Sequence, residues 1–114
     1  MFKNTIFLKN ISNYNFHFKK ILKSSNTLII INCSNINLTF KSKINKIIFQ
    51  NCNNIIVRVG NMISGISIEN SKEIDVMIYN NKKINCLELF NSNIKINKLN
   101  YQLINENSFI KLKY

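Results

Sequence analysis

The sequence predicts an all-β chain wound as a right-handed parallel β-helix, a solenoid of about five short coils. Three observations carry this expectation. Asparagine recurs as Asn10, Asn32, Asn51, Asn70 and Asn91, which lie 22, 19, 19 and 21 residues apart. On both sides of each Asn, apolar residues alternate with polar ones, the period of a strand. The 114 residues include no Pro and only two Gly, too few for the Gly-rich hairpins of an antiparallel sandwich, the competing all-β fold.

The elements follow from that frame. Before the successive corners stand Ile6 and Leu8, Leu28 and Ile30, Ile47 and Phe49, Ile66 and Ile68, and Leu87 and Leu89. After the first four stand Tyr14, Phe16 and Phe18; Ile36, Leu38 and Phe40; Ile55, Val57 and Val59; and Ile74, Val76 and Ile78. All of these are expected to point inward. The fifth unit places Ile94 and Ile96 one position early, as if its corner has lost a residue. A unit of about 20 residues cannot bury its own apolar face, whereas stacking successive units does.

Asn32, Asn51, Asn70 and Asn91 then form a structural corner ladder. Asn tolerates left-handed backbone angles, and its amide can pair with the equivalent Asn one coil away. The residue that follows each, Cys33, Cys52, Ser71 or Ser92, is small because the inside of a corner has little room. The whole of 1–114 reads as one domain, with an N-terminal coil within 1–26 and a closing strand within 100–114. In "SFIKLKY", Lys111 and Lys113 would charge that last edge and discourage further strand pairing.

Composition narrows the function. Sixteen Lys and Arg against five acids give a net charge of +11, which attracts acidic partners. All the basic residues except Arg58 are Lys, and Arg is the preferred reader of bases, so specific nucleic-acid recognition is not expected. No apolar run approaches the roughly 18 residues of a membrane span, and the N-terminus does not read as a secretory signal. Three cysteines suit a reducing compartment, so a cytoplasmic location is expected.

Cys33 and Cys52 share an offset in neighbouring coils, where stacked thiols are favoured over a disulfide in such a compartment. With one His and no Cys-x-x-Cys, no metal site and no cofactor is expected. His17 and the acids Glu69, Glu73, Asp75, Glu88 and Glu106 are expected mostly to take outward positions. No catalytic residues and no enzyme activity are expected. Two outward stripes remain as partner surfaces, one of Phe7, Ile29 and Ile48 with Ile31 beside them, the other of Asn37, Thr39, Ile56, Arg58, Asp75 and Met77.

Lys43-Ile44-Asn45, Asn51-Cys52, Gly65 and Ile68-Glu69-Asn70-Ser71-Lys72 occur in the order and spacing of a known family. Over most of Thr27 to Leu99 the chain resembles the C-terminal domain of cyclase-associated proteins. The resemblance implies a right-handed β-helix that binds monomeric actin, prefers its ADP form and promotes nucleotide exchange. Cationic or polar groups in or beside the match, Lys41, Lys43, Asn45 and Arg58, are the expected actin contacts.

The family's helical domain, Pro-rich segment and WASP-homology motif have no counterpart here. Family members dimerise by exchanging a C-terminal hairpin, and this sequence stops about where that hairpin would begin, so a monomer or weak homodimer is expected. Two alternatives stay open. A sister family, tubulin cofactor C, shares the architecture and acts on tubulin or a small GTPase through an arginine finger; its place here falls near Gly65, away from Arg58. The other is a basic solenoid that binds an acidic surface.

Overall fold

A computed structural model describes residues 5–18, 26–40, 43–79, 86–97, 99–103 and 109–113. Each alternating stretch forms a strand: β1 (Thr5–Lys9), β2 (Ser12–Phe18), β3 (Thr27–Ile31), β4 (Ser34–Phe40), β5 (Lys43–Gln50), β6 (Asn53–Val59), β7 (Asn61–Glu69), β8 (Lys72–Ile78), β9 (Cys86–Phe90) and β10 (Ser92–Ile96). Two more follow, β11 (Leu99–Leu103) and β12 (Phe109–Lys113). Odd strands stack in the order β1-β3-β5-β7-β9-β12, and even strands in the order β11-β10-β8-β6-β4-β2.

All pairings among β1 to β10 are parallel, so five successive strand pairs make a parallel β-solenoid. The core lies between the two sheets. In-register stacking turns each inward position into a file, such as Leu8, Ile30, Phe49, Ile68 and Leu89 from one sheet and Leu38, Val57, Val76 and Ile96 from the other, all of them buried. Burying one such side chain contributes about 1.5–3 kcal/mol.

The first pair departs from the expected parity. Tyr14 stands at an inward offset yet is 55 % exposed, and Phe16 is only partly buried. Among the described residues their strand β2 ends its sheet, with β4 as its one neighbour there. The two rings pack on each other instead, centroids 4.3 Å apart. The side chain of Phe18 lies outside the described residues.

The corners explain why Asn recurs. Asn10, Asn32, Asn51, Asn70 and Asn91 all have positive φ, between 47° and 57°, where ordinary residues are strained and Asn is not. A second left-handed residue follows three positions later, at Asn13, Asn35, Asn54 and Glu73. Two left-handed residues thus bracket each full corner. After Asn91 the second is missing: Asn91 precedes Ile94 by three residues, whereas Asn70 precedes Ile74, its register partner, by four. This is the residue that the shifted fifth unit lacks.

The inner side of the corner is a ladder of small polar groups. The Cys52 thiol donates to the carbonyls of Ile30 and Gln50, both at 3.3 Å. The Ser71 and Ser92 hydroxyls donate to the Glu69 and Phe90 carbonyls at 2.9 and 2.7 Å. They also accept from the backbone N–H groups of Cys52 and Ser71, each at 3.0 Å. Cys33 and Cys52 are free thiols and buried, and burial pushes the Cys52 pKa above its ordinary 9.0.

The closing segment forms two strands where one was expected. β11 lies antiparallel on β10, and β12 lies antiparallel on β9. A solenoid of two sheets ends in two open edges, and one strand would cover only one of them. The reversal of direction follows the shortened corner, with Asn97, again at positive φ, turning the chain between β10 and β11.

Candidate functional site

Outward positions build two unlike faces. On the odd-strand face, Phe7, Ile29, Ile48, Ser67 and Glu88 form one row across β1, β3, β5, β7 and β9. The row is apolar at one end and acidic at the other. Phe7 is 42 % exposed, with the Lys9 ammonium 5.7 Å from its ring centroid. Ile29 and Ile48 are half-buried. Lys46 and Glu88 pair at 3.7 Å although β7 runs between them, because the residue opposite Lys46 is Gly65, which has no side chain in the way.

On the even-strand face, Asn37, Ile56, Asp75 and Lys95 share one row, and Thr39, Arg58 and Met77 the next. The Arg58 guanidinium donates to Asn37 at 2.8 Å, which fixes its direction and leaves further N–H groups for a partner. Beside it runs a groove of about 500 Å³ lined by Asn54, Ile56, Glu73, Asp75, Lys95 and Asn100. Asp75 carries a buried carboxylate oxygen with no hydrogen-bond partner among the described residues. A shallower hollow of about 460 Å³ follows the corner, lined by Asn32, Asn51, Asn70 and Lys72. Among the described residues, no group of three His, Cys, Asp or Glu is placed to hold a metal.

The expected contacts separate in the structure. Lys43 is exposed at the start of β5, while Arg58 lies near the end of β6, in the other sheet. β5 runs toward the Asn51 corner and β6 away from it, so both residues occupy the edge of the third strand pair opposite that corner. Asn45 sits at the register irregularity between Ile44 and Lys46. Its amide donates to the Thr27 hydroxyl at 3.3 Å and accepts from the Ser64 hydroxyl at 2.6 Å, a polar rung across β3, β5 and β7. Lys41 lies outside the described residues.

Amide-to-amide hydrogen bonding is continuous at the second corner position. Asn35 donates to Asn13 at 2.9 Å and Asn54 to Asn35 at 2.7 Å. At the first, Asn91 donates to Asn70 at 2.9 Å. Sequence reasoning missed the second ladder, although its signal was present as an Asn three residues after Asn10, Asn32 and Asn51. The groove with Asp75 was missed as well, and no residue pattern announced it.

The fold and its outward rows define a class of protein, a parallel β-solenoid that presents two extended and unlike faces. Residues 8–88 match the family described as "Adenylate cyclase associated (CAP) C terminal". That is most of the chain, and the protein belongs to this family of actin-binding domains. No curated protein and no solved structure matches it.

Proposed function

We propose that the protein is a regulator of monomeric actin: it binds the monomer, prefers the ADP form and promotes exchange of the bound nucleotide. The family match over residues 8–88 carries this reading, because it spans β2 to β8 whole and every described residue among the expected contacts. In this reading Lys43 and Arg58, with Lys41, meet acidic groups on actin, and Asn45 holds the strand irregularity beside Lys43 in shape. Exchange is promoted if the solenoid binds the nucleotide-open conformation of actin more tightly than the closed one, since a ligand shifts an equilibrium only by its differential affinity. The protein acts in the cytoplasm, associated with the cytoskeleton, as a monomer or weak dimer.

The test is release of a fluorescent nucleotide from actin monomers, with binding to ADP-actin and ATP-actin followed in parallel. Faster release and tighter binding of ADP-actin are expected. Absence of binding to either form at high micromolar concentration would overturn the proposal.

A further inference from the structure

The acids of this chain are confined to its second part. Residues 1–68 hold nine Lys or Arg and no Asp or Glu, whereas residues 69–114 hold seven and five. A solenoid keeps sequence order in space, because each coil stacks on the one before it. The segregation along the chain therefore becomes a segregation along the molecule. β1 to β6 carry Lys9, Lys43, Lys46 and Arg58 and no acid, while Glu69, Glu73, Asp75 and Glu88 lie on β7, β8 and β9.

The ion pair Lys46–Glu88 reaches across from the acidic part and offsets one of those cations. Lys9 and Lys43 are exposed, and among the described residues no salt bridge engages Arg58. Opposite charges interspersed on a surface cancel within a Debye length of about 8–10 Å, whereas a region of one sign keeps its field and steers a complementary partner.

We infer that the first three strand pairs, β1 to β6, are the part of the molecule that docks the actin monomer, through an acidic face on actin, and that β7 to β10 stay outside the contact. This rests on the actin reading above and adds to it which part of the solenoid binds and by what force. Charge complementarity selects the occupant: an acidic protein surface gains from cations held without counter-charges, and the mixed second part offers it both attraction and repulsion. The exposed Phe7 and half-buried Ile29 and Ile48 lie in the same acid-free part and supply apolar contact area beside the charges.

Two double variants test this with equal change of net charge. Lys9→Glu with Lys43→Glu alters the acid-free part, and Lys72→Glu with Lys95→Glu alters the mixed part; all four side chains are exposed. Each lowers the charge of the chain by four. Affinity for actin is expected to fall at least tenfold for the first pair and less than threefold for the second, with a weaker salt dependence of the association rate in the first pair alone. Circular dichroism and urea midpoints confirm that both fold. Equal losses would show that only net charge matters, and a larger loss in the second pair would place the contact on β7 to β10; either overturns the inference while leaving actin binding intact. If the wild type ignores actin, the functional reading itself falls. Cosedimentation with phosphatidylserine vesicles is run beside it, and loss of vesicle binding in the first pair with actin affinity unchanged would assign the acid-free part to a lipid surface and refute the protein contact.

Discussion

Glu73 occupies a place that the rest of the solenoid gives to Asn. It has φ 55°, like its equivalents Asn13, Asn35 and Asn54, and an ordinary L-residue in that region carries a cost of roughly 1–2 kcal/mol that Asn largely escapes. The amide ladder also stops there. Asn54 donates to Asn35, but its own oxygen receives nothing from Glu73, whose carboxylate makes no hydrogen bond or ion pair with the described residues. Glu73→Asn should relieve much of the strain and add one amide-to-amide hydrogen bond, worth about 0.5 kcal/mol at an exposed site. The Glu73 N–H already donates to the Asn93 side chain at 2.7 Å, a bond that the substitution keeps. The expected sum is a gain of about 1–2 kcal/mol. With a urea m-value of about 1–2 kcal/mol/M, that raises the midpoint by roughly 1 M. The converse change, Asn54→Glu, should lower it by a similar amount or more, since it breaks an existing bond. An unchanged or lowered midpoint for Glu73→Asn would show that the left-handed corner is not strained by Glu, and the two-residue account of the corner would fail.

Gly65 has φ 135°, and a Cβ there would stand 2.0 Å from the Cys86 carbonyl oxygen, so Gly65→Ala should cost at least about 3 kcal/mol, read as a drop in thermal midpoint. Cys52 has its pKa raised by burial, so the folded state holds the thiol proton more tightly than the unfolded chain. Its contribution is complete below about pH 9 and is lost as pH rises through the folded value. Cys52→Ser, which installs the side chain already present at Ser71 and Ser92, should flatten the alkaline fall in stability relative to wild type; parallel pH profiles would refute this.

Much of the fold could be read because a solenoid repeats its constraints. Leu28 and Ile30, Ile47 and Phe49, and Ile66 and Ile68 face inward for one reason, and each repetition strengthens the reading of the others. The ends escape because period two says nothing of neighbours. Tyr14 has the parity of a core residue, but among the described residues only one strand pair stands beside it. The alternation in "FIKLK" marks a strand without saying whether its partner runs parallel or antiparallel, and β12 proved antiparallel. The second left-handed position was hidden because Glu73 breaks the run of Asn. The expected contacts were hardest to read: Lys43 and Arg58 recur in no pattern, and the alternation that sets the core says nothing of which outward residue a partner would touch. Even Asn45, which stands in the matched segment, has both amide atoms engaged by Thr27 and Ser64.

In-register stacking also decides which partner yields. Every strand from β3 to β8 is hydrogen-bonded on both sides, and the files of buried side chains interlock between coils, so bending or twisting one coil would break bonds to two others. Such a body has one shape to offer. When it docks on a softer protein, the energy of fitting is taken up by the softer one, and the solenoid serves as a last on which the partner is re-formed. A module that works by docking needs this kind of stiffness more than it needs chemistry, and here a short repeat with an asparagine at each bend supplies it.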